Sequence, residues 1–228
     1  MERKVMIGCP VRNRAWILPA YLQSLEALDY PRERIIYCFI VNDCEDSTPD
    51  ILGNFAHKYP GQVYLVENNG GNTPHQRGQY SFKRLAYLRN LLLMEFLRSD
   101  CEYLFSVDSD ILVPPHSLRA LINNQCDIVS CLVCNGAVIG DESCYNVLHR
   151  DDRGHYLHIR NFPRDRLFRV DCTGAAYLIK RQVISELGVR YGARNGAEDI
   201  GFCESARQKG VHIYCDGRLE CTHVMKQL

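Results

Sequence analysis

No apolar run in this chain approaches the roughly 18 residues of a membrane-spanning helix. Met1-Glu2-Arg3-Lys4 leads straight into a strand instead of the apolar core of a signal peptide. These two absences predict a chain with no membrane span and a cytoplasmic location. Net charge is missing as well: 27 basic and 27 acidic residues cancel, which excludes the electrostatic footprint of a nucleic-acid binder but leaves room for a small anionic ligand. No Pro/Gly/Ser-rich linker and no internal repeat divides the 228 residues, so one domain with an ample core is expected. Cysteine is the exception to this sparseness, at twelve residues. Cys131-Leu-Val-Cys134 has no second pair at zinc-ribbon spacing. Cys9, Cys38, Cys126, Cys131, Cys203 and Cys215 lie in strand-like or helix-like runs, where they read as small buried hydrophobes in a reducing compartment.

What is present is an alternation of short apolar blocks and helical periodicity. Val5-Met6-Ile7-Gly8-Cys9, closed by Pro10, reads as a first strand, and Val11-Arg12-Asn13-Arg14 turns into a helix through Leu28, with Pro19 near its first turn. Ile35 to Val41 is a second strand, Ser47-Thr48-Pro49 starts a helix to about Tyr59, and Gln62 to Val66 is a third strand. Phe82, Leu85, Leu88, Leu92 and Phe96 recur at helical spacing, before a fourth strand at Tyr103 to Val107. The β-α-β-α-β-α-β order predicts an α/β fold with a mostly parallel central sheet and helices on both faces. Downstream, the pattern predicts a helix over Ser117 to Asn123 and a strand over Ile128 to Val133. Residues 135–168 lose periodicity, with short strands near Tyr145 to Leu148 and Tyr156 to Ile159. Then come a small-residue turn at Thr173-Gly174-Ala175-Ala176 feeding a strand, helices at Arg181 to Leu187 and Glu198 to Lys209, and a closing strand at Val211 to Cys215.

The chemistry gathers at strand ends. The fourth strand ends in Asp108-Ser109-Asp110 and the second in Asn42-Asp43, and in an open parallel sheet ligands collect outside those carboxyl ends. Like charges there call for a cation, either Mg²⁺ or Mn²⁺ or neighbouring arginines and lysines. Asp43 can accept hydrogen bonds from a base or ribose, and Asp110 can hold a metal bridging two phosphates. Arg84 and Arg89, on the long helix, are candidates for the diphosphate. Asp199 opens a helix, whose N-terminus favours the ionised carboxylate and predicts a charged group at neutral pH.

The order of these motifs resembles glycosyltransferases of the GT-A fold, close to family 2. The opening strand with Cys-Pro-Val-Arg-Asn-Arg (Pro10, Arg12, Asn13), Val41-Asn42-Asp43, the DxD of Asp108-Ser109-Asp110, the glycine loop at Gly174, Ala197-Glu198-Asp199 and Cys221-Thr222-His223 fall in that family's order over residues 5 to 223. The resemblance implies one GT-A domain, with a nucleotide-binding part to about residue 113, an acceptor-binding part beyond it, and a small antiparallel C-terminal portion. It also implies an inverting, hexosyltransferase-like enzyme with a nucleotide-sugar donor, a UDP-sugar, and a carbohydrate, glycoconjugate or peptide acceptor. Position by position, Asp43 would contact the nucleoside, and Asp110 and His223 would ligate Mn²⁺ or Mg²⁺. Asp108 would reach the ribose or the metal through water, and the Glu198-Asp199 pair would be catalytic, with Asp199 as general base. Asn42 stands where an acid is frequent, and the loop from Asn68 to Gln79 is long. His75, Arg77, His149, His155 and His158 are candidates for acceptor contacts. A nucleotidyltransferase and a non-catalytic sugar-binding module are the alternatives, although Pro10-Val11-Arg12-Asn13 lacks the glycine-rich phosphate loop of the former.

Overall fold

The computed structural model describes residues 2–70, 81–136, 140–193 and 196–225. Its elements, in chain order, are β1 (Val5–Val11), α1 (Leu18–Glu26), β2 (Ile35–Val41), α2 (Thr48–Lys58), β3 (Val63–Glu67), α3 (Phe82–Arg98), β4 (Tyr103–Val107), β5 (Ile111–Leu112) and α4 (Ser117–Asn123). The second half adds β6 (Ile128–Val133), β7 (Leu148–Arg150), β8 (Tyr156–His158), β9 (Leu167–Val170), β10 (Ala176–Lys180), α5 (Arg181–Ser185), α6 (Glu198–Gln208) and β11 (Ile213–His223).

The apolar blocks form strands covered on both faces, because successive side chains point to opposite sides of the sheet. From β2, Ile35, Tyr37, Phe39 and Val41 enter the core on the α1–α2 side, whereas Cys38 and Ile40 enter the core under α3. β1 and β4 divide in the same way, with Phe105 and Val107 in one core and Leu104 in the other. Full burial of such side chains is worth about 1.5–3 kcal/mol each. Gly8 in β1 is required by packing rather than conformation: a Cβ there would lie 1.9 Å from the carbonyl oxygen of Cys38.

The sheet runs β3-β2-β1-β4-β10-β6-β11-β5, with β9 paired to β11, and β7-β8 form a separate hairpin. β3, β2, β1 and β4 are parallel. β10 is antiparallel to both β4 and β6, and β11 is parallel to β6, so β11 ends at the same edge as β1, β2 and β4. The mostly parallel α/β sheet agrees with the sequence pattern, and its antiparallel C-terminal portion with the resemblance.

The largest departure is β11. The pattern predicts a strand ending at Cys215, but β11 continues to His223 through a register shift between Asp216 and Glu220. Within that irregularity Asp216 is fully buried and takes both Arg218 and Asn124 as partners. Gly217 lies where a Cβ would come within 1.9 Å of the Pro163 carbonyl oxygen. A polar, glycine-containing bulge breaks the period-2 signal, so the strand beyond it is invisible to periodicity. β1 also runs past Pro10 to Val11. Its pairing with β4 ends at Gly8, so the missing N–H of proline costs no ladder bond on that side.

Candidate active site

Four strand ends and one helix start supply the site. β4 ends at Val107 and the chain turns at once, with the Asp108 N–H donating to the Ala175 carbonyl (2.8 Å) and the Ile111 N–H donating to the Asp108 carbonyl (2.9 Å). Asp110 is carried to the start of β5, where His223 pairs with Ile111 across an antiparallel ladder and the Val224 N–H donates to the Asp110 carbonyl at 2.9 Å. That pairing places His223 Nε2 3.9 Å from Asp110 Oδ1. His223 Nδ1 faces the Cys134 carbonyl at 3.3 Å, so in the neutral ring Nδ1 carries the hydrogen and the Nε2 lone pair is turned to Asp110. Asp110's other oxygen lies 3.3 Å from Arg14 Nη2. Burial raises the Asp110 carboxyl above its ordinary value, with Asp108 adding to the shift and Arg14 and His223 opposing it.

Behind Asp108 stands Arg89, from the middle of α3 and only 3 % exposed in its side chain. Its guanidinium donates to Asp108 Oδ1 (2.7 Å), Glu198 Oε1 (3.1 Å) and Ser106 Oγ (3.3 Å), and Asp199 Oδ1 is 4.0 Å away. Burial alone would lower its pKa, but Asp108, Asp199 and Glu198 outweigh that and keep it protonated. The sequence reading assigns Arg89 to a diphosphate and Glu198 to catalysis. The structure instead buries both against each other, with the Glu198 side chain 4 % exposed, because α3 and α6 pack together.

Asp199, one residue on, turns the other way and keeps 22 % of its side chain exposed. Tyr177 from β10 donates to its Oδ1 at 3.2 Å, and the Tyr177 and Tyr191 hydroxyls are hydrogen-bonded to one another. Burial, reinforced by Glu198 and Asp108, pushes the Asp199 carboxyl up to about 8. This is the reverse of the charged state predicted from its helix-start position, since loss of water outweighs the helix N-terminus here. Gly174 leaves space for this carboxylate: a Cβ at 174 would sit 2.2 Å from Asp199 Oδ2. The glycine loop is fixed by Asn146, whose side-chain amide donates to the Cys131 and Gly174 carbonyls (3.0 and 2.9 Å) and accepts from the Val133 N–H (2.8 Å).

The third region lies at the ends of β1 and β2. Asn13 and Asp43 both adopt positive φ, 48° and 43°, a conformation that Asn and Asp tolerate better than most residues. Asn13 Oδ1 accepts from the Glu45 N–H (2.8 Å), which joins the two loops. Asp43 Oδ1 accepts from the Gly70 N–H (2.8 Å). Arg84 braces this turn from α3, bonding Asn42 Oδ1 and Asn68 Oδ1 at 2.7 Å each, with Asp43 Oδ2 at 3.9 Å. Asn42, in the place of a frequent acid, is thus the acceptor for Arg84. Pro10 and Arg12 lie on the strand end and loop leading to Asn13, and Ser109 is buried between the two aspartates.

Not all candidates join this cluster. His149, His155 and His158 sit on the β7–β8 hairpin, where His155 pairs with Asp151 (3.3 Å) and His158 with the Tyr145 carbonyl (2.8 Å). His75, Arg77 and most of the Asn68 to Gln79 loop lie outside the described residues. Cys131 and Cys134 do not converge: the Cys131 thiol faces Cys221, and that of Cys134 donates to the Glu142 carbonyl. Arg14, Asn146, Tyr177 and Tyr191 are not among the site residues expected from the sequence. Arg14 belongs to the quoted Pro-Val-Arg-Asn-Arg turn, but nothing local marks the other three, which act across elements.

The model of the family described as "Glycosyltransferase family 25, N-terminal domain" matches residues 2–228, where the motif order suggested family 2. Human procollagen-lysine,2-oxoglutarate 5-dioxygenase 2 is 28 % identical over 95 % of this chain and 29 % of its own length. A Drosophila melanogaster glycosyltransferase 25 family member is 27 % identical over 70 % of this chain and 29 % of its own. This chain therefore spans less than a third of these relatives. Among solved structures, a Pyrobaculum calidifontis mannosyltransferase in complex with GDP-Man and Mn²⁺ superposes with TM-score 0.66 at 18 % identity, covering 100 % of this chain and 58 % of that one. GalNAc-T7 with UDP, GalNAc and Mn²⁺ gives 0.71 at 14 %, covering 99 % and 44 %. These likenesses are of fold, and the fold is GT-A. By the match over its whole described length, the chain belongs to the glycosyltransferase family 25 N-terminal domain family.

Proposed function

We propose that this domain transfers a sugar from a nucleotide-sugar donor, a UDP-sugar, to an acceptor hydroxyl with inversion at the anomeric carbon and with a divalent metal ion, Mn²⁺ or Mg²⁺. The observation that carries the reading is the placement at one sheet edge of an Asp110–His223 pair and a reachable, desolvated Asp199, joined through Asp108 and Arg89. The donor set suits such an ion. One carboxylate and one imidazole nitrogen with its other ring nitrogen on a carbonyl form a partial shell, and Mg²⁺-like ions usually take the remainder from substrate phosphate and water. Bound there, the ion would stabilise negative charge on the leaving diphosphate. The fold neighbours' complexes with GDP-Man or UDP and Mn²⁺ support the same assignment.

The chain's own residues supply the rest. Asp199 accepts the proton of the acceptor hydroxyl as that oxygen bonds to the anomeric carbon and the bond from that carbon to the phosphate oxygen breaks. Gly174 keeps the space in front of Asp199 open, and Arg89 holds Asp108 toward the donor. Asp43 faces the nucleoside, its loop held by Arg84. The nucleotide part extends to about residue 113, and the acceptor part follows it. The acceptor is a hydroxyl on a peptide or glycoconjugate. The names of relatives such as the human multifunctional procollagen lysine hydroxylase and glycosyltransferase LH3 (24 % identical over 95 % of this chain) favour a hydroxylated lysine in a collagen-like strand. Among the described residues no helix is long and apolar enough to cross a membrane. All twelve cysteines stand free, including the facing thiols of Cys172 and Cys203.

The test is a screen of nucleotide-sugars for hydrolysis in the presence of Mn²⁺. Turnover of one donor is expected, and neither hydrolysis nor calorimetric binding of any nucleoside diphosphate would end this reading. His223→Ala should weaken Mn²⁺ binding by at least about tenfold. Gly174→Ala should lower thermal stability, since the added Cβ would meet Asp199 Oδ2 at 2.2 Å and Cγ at 2.8 Å, and cost about 10²-fold in kcat by shifting Asp199.

A further inference from the structure

Arg14 is the cation closest to Asp110 among the described ion pairs, at 3.3 Å, nearer than His223 at 3.9 Å. Its backbone is fixed: the N–H donates to Thr48 Oγ1 (2.7 Å), and the carbonyl accepts from Ile17 and Leu18 N–H (2.9 Å each) as α1 begins. The guanidinium is incompletely satisfied, because its Nε is buried without a hydrogen-bond partner. A buried guanidinium N–H without an acceptor is costly and is best relieved by an anion.

We propose that Arg14 is an exchangeable counter-ion, which neutralises Asp110 before metal binding and gives up that carboxylate to bond the donor diphosphate once a divalent ion is held there. The proposal rests on the metal and nucleotide reading above. Two cations cannot share one carboxylate without repelling each other, so the Arg14–Asp110 pair must oppose metal binding in the absence of nucleotide. The diphosphate reverses the sign, since it presents anionic oxygens that accept from the planar fork of an arginine better than from the single point of a lysine. Arg14 would thereby make metal and nucleotide binding interdependent, by linkage.

The experiment is a titration of the protein with Mn²⁺ alone, followed by electron paramagnetic resonance of free Mn²⁺, and a calorimetric titration with UDP at saturating Mn²⁺. Arg14→Gln is expected to bind Mn²⁺ about five- to tenfold more tightly and UDP about tenfold more weakly than the parent. Arg14→Lys, which keeps the charge and guards against a folding defect in the first variant, should leave Mn²⁺ affinity near the parent value while weakening UDP. Unchanged or weaker Mn²⁺ binding in a folded Arg14→Gln protein overturns the inference alone, provided the parent binds Mn²⁺ and Asp110→Asn does not. If the parent binds no Mn²⁺, the metal-dependent reading falls and this one with it.

Discussion

Asp199→Asn is expected to lower kcat by about 10²–10⁴-fold, the usual contribution of a positioned general base, with UDP affinity essentially unchanged. The amide keeps the shape of the side chain and its contact with Tyr177 but cannot take the acceptor's proton. In the parent, kcat/KM should rise with pH toward about 8, where the desolvated carboxyl ionises, and this limb should vanish in the residual activity of the variant. Stability carries an independent signature. A carboxyl raised in the folded state contributes stability that is present below its unfolded value, near 4, and is lost as pH rises through about 8. Asp199→Asn should therefore gain in Tm relative to the parent as pH increases across that window. Parallel pH–Tm curves would show that Asp199 is not the desolvated group its surroundings indicate, and transfer within a factor of about three of the parent would remove it as the base.

Arg89→Met should be the most destabilising substitution at the site. It leaves Glu198, 4 % exposed, as an uncompensated charge, whereas Asp108, 31 % exposed, can turn to water. Removing one partner of a buried ion pair costs about 3–5 kcal/mol, which for a domain of this size is a Tm loss on the order of 10 °C. The source of the loss is separable. Adding Glu198→Gln to Arg89→Met should recover most of the stability, because the stranded charge is gone. Activity should stay low, because Asp108 and Asp199 have lost their common support. Thermal melts and donor hydrolysis on the two variants distinguish these effects. If the double variant melts no higher than the single, Glu198 is not the residue that Arg89 holds in place.

Much of the frame could be read from the chain itself, since β1, β2 and β4 are buried on both faces and write themselves as apolar blocks such as Tyr37 to Val41. The ends of those blocks were readable for the same reason, as a polar residue that stops an apolar run marks where the strand leaves the sheet. Asp43, Asp108 and Asp110 were found in this way. His223 was reached by resemblance, not by periodicity, because the bulge at Asp216 to Glu220 hides the strand that carries it.

Residue order and apolar spacing thus determined the parallel sheet and the edge where acidic side chains gather. Which of those groups stay exposed and which face each other was decided only in three dimensions. Glu198 and Asp199 are neighbours in sequence, yet a helix turns consecutive side chains by about 100°. One therefore locks onto Arg89 and the other stays reachable, a difference in surroundings that no one-dimensional pattern encodes. Arg14 likewise meets Asp110 from 96 positions away, because β1 and β4 are neighbours in the sheet and only the closed tertiary structure brings their ends together.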